Sequence, residues 1–137
     1  MKPGLTSGMS RTQRYQVTKE NTIGFMGEEL RVYATPYMVR EIERTCRDFI
    51  GEFLGPEENS VGARVELDHL GPTLNGMWVE VTATVTGVDG RKVSFEAEVR
   101  DALDLVGRAK HVRFVVDLAK QKERLDAKAA KLAQLNK

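Results

Sequence analysis

Apolar positions recur with a helical period in one stretch of this chain and with a period of two through most of the residues beyond it. Between Pro36 and Leu54, residues set at about 100° intervals around an axis gather Met38, Val39, Ile42, Cys46, Phe49, Ile50, Phe53 and Leu54 on one arc. Arg40, Glu41, Arg44, Arg47, Asp48 and Glu52 take the other side. Thr35 stands as a candidate N-cap, Pro36 fits the first helical position, and Gly55 with Pro56 stops the run. The pattern predicts a helix over 36–54. One acid breaks the sorting: Glu43 falls between Val39, Ile50 and Leu54, where its carboxylate is expected to be partly desolvated.

Beyond the helix the period changes. Val61, Ala63, Val65, Leu67 and His69 share one row, opposed by Gly62, Arg64, Glu66 and Asp68, so His69 ends a row expected to face inward. Gly71 and Pro72 break the strand. Alternation resumes from Met77 to Gly87, Asp89-Gly90 reads as a hairpin turn, and the chain returns from Lys92 to Asp101. Leu105 to Asp117 supplies a further long strand, and these last three are expected to form an antiparallel meander. Upstream, 11–18 alternates weakly and suits an edge strand. Residues 21–33, with scattered Phe25, Met26, Leu30 and Val32, read as a loop or short helical lid. The first ten residues read as a flexible start and 121–137 as a helical tail; from Leu118 onward, Leu118, Leu125 and Leu132 fall seven apart. A long helix with an apolar arc, followed by long antiparallel strands, predicts an α+β packing in which the sheet covers the helix.

Composition narrows the class. The chain has 137 residues, enough for one domain, and its 41% hydrophobic and 30% charged residues exclude a disordered chain. A single cysteine, Cys46, forms no internal disulfide and reads as inert packing; with two histidines it offers no zinc spacing, so no metal is expected. A net charge of +1 does not mark a nucleic-acid binder. The basic tail reads as a solvated helix. No run approaches the roughly 20 apolar residues of a membrane span, and the start lacks the apolar core of a signal peptide, so a cytoplasmic location is expected.

Glu43 and His69 are thus ionisable groups on otherwise apolar faces, and the residues around them carry a resemblance. Ala34-Thr35, Met38-Val39, Glu43 and Cys46 on the helix, Ser60-Val61-Gly62 and His69 on the next strand, Val88-Asp89-Gly90-Arg91 at the hairpin, and Gly107 to Arg113 resemble the hotdog-fold acyl-CoA thioesterases, most closely the fluoroacetyl-CoA thioesterase type. The resemblance covers roughly 11–120. It implies a hotdog fold, a long helix wrapped by an antiparallel sheet, usually paired as a homodimer with acyl-CoA sites at the interface; pairing of dimers into a tetramer stays open. By position it implies Thr35, Glu43 and His69 as catalytic residues and Gly62 and Arg113 as substrate-lining ones. Phe25 and Tyr33, expected as further substrate-binding residues, fall where that family has an aromatic lid, but Glu28, Glu29 and Arg31 interrupt them, and no copy of a fluorine-selecting pocket is visible.

Hydrolysis of a thioester needs an activated nucleophile, a proton acceptor and donors for the developing oxyanion. His69 is the expected base toward Thr35 or a water, with Glu43 attacking the carbonyl or polarising the attacking group; covalent and water-attack routes both stay open. Gly62 and the helix N-terminus, through Tyr37 or Met38, are candidate oxyanion donors. CoA enters as part of the substrate, and no separate cofactor is implied. Each assignment has a plainer rival: Thr35 as a cap, Glu43 as a boundary residue reaching Arg47, His69 as a satisfied core histidine, Gly62 as a strand bend, and Arg113 with neighbouring His111 as surface residues. Two other functions fit the same fold: enoyl-CoA hydration or dehydration, and non-catalytic binding of acyl-CoA.

Overall fold

A computed structural model of the chain describes residues 1–136. Its elements run β1 (Ser10–Gln16), α1 (Thr35–Gly51), β2 (Glu58–His69), β3 (Trp78–Asp89), β4 (Lys92–Arg100), β5 (Leu105–Asp117) and α2 (Leu118–Leu135), with short 3-10 turns at Lys19–Asn21 and Glu28–Leu30 between β1 and α1. All neighbouring strands are antiparallel, in the order β1-β3-β4-β5-β2. This is the expected α+β hotdog: α1 packs against one face of a five-stranded sheet, and the meander β3-β4-β5 forms the sheet's middle.

The core is where the two periods meet. Met38, Ile42, Cys46, Phe49 and Ile50 of α1 are fully buried against Val79, Val81, Ala83 and Val85 of β3 and Val93, Phe95, Ala97 and Val99 of β4. Trp78 falls on the opposite side of β3, 46% exposed, with the Arg14 guanidinium 4.8 Å from its ring. No helix among the described residues is long and apolar enough to cross a membrane.

Four placements differ from the sequence pattern. Glu41, sorted with the charged arc, is 6% exposed. The reason is β1, which lies along that flank of α1, its Tyr15 hydroxyl 3.0 Å from Thr45 Oγ1 and its Arg11 paired to Glu52 at 3.0 Å. The helix is therefore covered over a wider arc than its apolar stripe.

Thr35 is not the cap. Ala34 holds that position without a side-chain bond, and Thr35 opens the helix with its hydroxyl free for another partner. The first residues are also not loose, since Leu5 is buried, Lys2 N–H donates to the Phe53 carbonyl at 2.6 Å, and Gly8 N–H donates to the Val85 carbonyl at 2.8 Å.

The fourth difference decides the site. An unbroken alternation on β2 would set Val61 and Val65 on one face. The register against β5 shifts between Gly62, opposite Arg113, and Arg64, opposite Val112, so Ala63 is an extra residue and the strand is bulged. Val61, opposite exposed Phe114, faces out, whereas Ser60 and Gly62 before the bulge and Val65, Leu67 and His69 after it face the helix side. One inserted residue brings both a glycine and a histidine of β2 to the inner face.

Candidate active site

The N-terminus of α1 and the end of β2 meet at the first cluster. Thr35 Oγ1 and His69 Nδ1 are 2.8 Å apart, a hydrogen bond that joins helix to strand. The two line a cavity of about 530 Å³ with Ile23, Phe25, Tyr33 and Leu70. Phe25, 82% exposed, stands at its mouth. Tyr33 is buried behind it and sets its ring edge-on to His69, centroids 6.2 Å apart. Burial pushes the imidazole pKa below the ordinary histidine value, and a backbone hydrogen bond to Gly71 counters part of that shift. A neutral imidazole at this position can take a proton from the hydroxyl it touches.

The second cluster lies along α1 at Glu43. Eight residues of helix separate it from Thr35, about 12 Å of rise, and seven residues of β2 separate Gly62 from His69, roughly 20 Å of strand. A Cβ built on Gly62 would stand 3.3 Å from Glu43 Oε1, 3.4 Å from His111 Cε1 and 3.5 Å from Arg113 Nη1. Glycine is what lets a carboxylate, an imidazole and a guanidinium converge on the backbone there. Arg113 is 5% exposed; its Nε donates to Ser60 Oγ and its Nη2 to the Ser60 carbonyl, each at 2.9 Å. Burial lowers its pKa and the Glu43 carboxylate offsets part of that.

All seven expected positions thus lie at one of two clusters. Thr35, His69, Phe25 and Tyr33 share the first; Glu43, Gly62 and Arg113 share the second, and within one chain these clusters stay apart. The plainer reading of Arg113 and His111 as surface residues is overturned, since both are buried, His111 at 1% exposed. The missed signal was parity: Gly107, Ala109, His111, Arg113 and Val115 share the row of β5 that is buried, alternating with exposed Arg108, Lys110 and Phe114. Tyr37 and Met38 are not free oxyanion donors, because both N–H groups already donate to the Ala34 carbonyl.

The family model for fluoroacetyl-CoA-specific thioesterase matches residues 17–119. The chain belongs to that family. The thioesterase is 31% identical over 127 residues to the fluoroacetyl-CoA thioesterase of Streptantibioticus cattleyicolor, an alignment spanning 88% of this chain and 91% of that one. Among solved structures, a thioesterase-superfamily member from Thermus thermophilus superposes with a TM-score of 0.87 at 30% identity, over 96% of this chain and 98% of that one. A point variant of the fluoroacetyl-CoA-specific thioesterase, in complex with fluoroacetate and CoA, superposes with a TM-score of 0.78 at 29% identity, over 85% and 98%. The thioesterase shares with these relatives the hotdog architecture on which both clusters are mounted.

Proposed function

We propose that this protein hydrolyses the thioester of a small acyl-CoA to the carboxylic acid and free CoA, in a homodimer whose sites combine the two clusters. The observation that carries the reading is the 2.8 Å bond between Thr35 and His69 at the wall of an apolar cavity, in a chain of this family. His69 accepts the proton of the attacking hydroxyl held at Thr35, Glu43 supplies the carboxylate that faces the acyl carbon, and Arg113 with Gly62 forms the wall beside it. In the net reaction the C–S bond breaks, water supplies the new C–O bond, and the departing CoA thiolate takes the proton. Side chains and water suffice for it.

The edge strand β2 supports the pairing. This 12-residue strand ends the sheet, bonded on one side to β5 alone, and Val61 and Val65 on it are 41% and 37% exposed. Long edges of this kind are ordinarily covered. A two-fold axis between Val65 and Glu66 sets Gly62 of one chain opposite His69 of a second copy, which brings Glu43 and Arg113 of the first to the Thr35-His69 pair of the second. The apolar rim of Phe25 and Leu70, each more than half exposed, supports an acyl group or a neighbouring chain at the same mouth. A cytoplasmic location belongs to this proposal, supported by a lone unpaired cysteine.

The test is thiol release from acetyl-, fluoroacetyl-, butyryl-, aromatic and long-chain acyl-CoA. Turnover of a short member, reduced at least about 100-fold in Glu43→Gln, is the expected result. Tight retention of an acyl-CoA without turnover would replace the reading by a binding role, and, with a short enoyl-CoA added to the panel, loss of its chromophore without thiol release would replace it by hydration.

A further inference from the structure

His111 is among the largest fully buried side chains, yet neither cluster's chemistry uses it. Its bonds fix its protonation. Nδ1 lies 2.8 Å from the Arg64 carbonyl. A carbonyl only accepts, so the proton sits on Nδ1. Nε2 is left with its lone pair and faces Arg113 Nη1 at 3.3 Å, a donor. An imidazolium would turn a second N–H against the guanidinium. Burial, first, and the Arg113 charge both disfavour it, while the Arg64 carbonyl and the Glu43 carboxylate act the other way.

The two partners flank the inserted residue of β2. Arg64 is the residue just beyond the bulge, and Ser60, which takes the other two bonds of Arg113, stands two residues before Gly62. The chain of bonds runs from the Arg64 carbonyl through His111 and the guanidinium to Ser60. It spans the bulge and ends on both sides of Gly62, whose missing side chain leaves Glu43, His111 and Arg113 around one point.

We propose that His111 is a positioning residue for hydrolysis: its neutral ring clamps the β2 bulge and sets the Arg113 guanidinium beside Glu43 without touching substrate. The inference rests on the assignment of Glu43 and Arg113 to the reacting site. It is a relation between two bonds, so it can be cut one bond at a time. Asn at position 111 can keep a donor near the Arg64 carbonyl and loses the acceptor for Arg113; Gln can place its carbonyl oxygen near Nε2 and loses the other bond.

Two measurements decide it. Long-range ¹H–¹⁵N spectra of the unmodified protein should show His111 as the neutral Nδ1–H tautomer at the pH of the assay. The Arg113 Nε–H resonance should be sharp and slowly exchanging, broadened in His111→Asn and regained in His111→Gln. Kinetically, His111→Asn should lower kcat about 10- to 100-fold with KM changed less than about threefold, while His111→Gln recovers most of kcat. An Nε2–H tautomer or a charged His111 at that pH, or equal kcat in His111→Asn and the unmodified enzyme, overturns the proposal. Failure of the unmodified protein to release thiol defeats the thioesterase reading instead, and the tautomer and Arg113 signals then still judge the clamp.

Discussion

Gly62 leaves little room for even a methyl group at the second cluster. A Cβ at this position meets Glu43 Oε1 at 3.3 Å and Arg113 Nη1 at 3.5 Å, closer than the first comfortably allows. Gly62→Ala should therefore lower kcat about tenfold or more by displacing the carboxylate, with the unfolding midpoint changed little; full activity in that variant would separate the glycine from the chemistry. His69 makes a prediction in pH. Its depressed pKa means that the base form is already populated below the ordinary histidine range, so log kcat/KM should rise with pH along a limb centred under about 6.5 and then level. His69→Ala should lower the rate and flatten that limb. An unchanged profile would assign it to another group.

At the scale of elements, Glu41 carries the clearest consequence of how β1 covers α1. Its carboxyl is buried, Oε2 has no partner among the described residues, and desolvation pushes its pKa up to about 7 despite the charge of Arg44. A folded state that holds this proton more tightly than the unfolded chain is most stable below the ordinary carboxylate range. It loses that advantage as pH rises from that range through about 7, by roughly 3 kcal/mol in all. Glu41→Gln should thus raise the melting temperature at pH 8 by several degrees and change it little at pH 4; an equal shift at both would show that the carboxyl does not titrate with folding.

The same element shows what a sequence discloses. The period of α1 and the strict alternations of β3 and β4 are legible because hydrophobic burial acts on every residue of them. Glu41 is not, because a charged residue at the flank of an apolar arc is sorted by its own polarity, whereas its burial is imposed by a strand about 30 positions away. The bulge in β2 is equally hidden. Val61, Gly62 and Ala63 are small enough to suit either face, so nothing in their order marks the extra residue. Resemblance locates Thr35, Glu43, His69, Gly62 and Arg113, two of them also marked by misplaced polarity. His111 escapes notice because Lys110 and Arg113 beside it suggest a solvated strand.

For the whole molecule, the proposed pairing of the two clusters across a dimer would make assembly part of the chemistry. If Glu43 of one copy serves His69 of the other, a mixed dimer of Glu43→Gln and His69→Ala chains holds one intact site and one doubly altered site. Co-expression of the two inactive variants should restore about a quarter of normal activity, since half of the dimers are mixed and each has one working site. No recovery would place the complete site within a single chain. Charge on the exposed edge tests the same assembly from outside the site: Val65→Lys should yield monomers in sedimentation and lose activity together with pairing.

Cys46 sits at the junction of these scales, fully buried beside the second cluster, its thiol pushed by burial up to about 12. A protonated sulfur walled off from solvent is invisible to alkylating and disulfide-exchanging reagents, so the native enzyme adds no background when the coenzyme's own sulfhydryl is being counted. The sole cysteine of the chain then doubles as a tamper seal. Its labelling rate records how often the long helix lifts from the sheet, and a variant that is catalytically dead but labels at the native rate has lost its chemistry with its interior still closed.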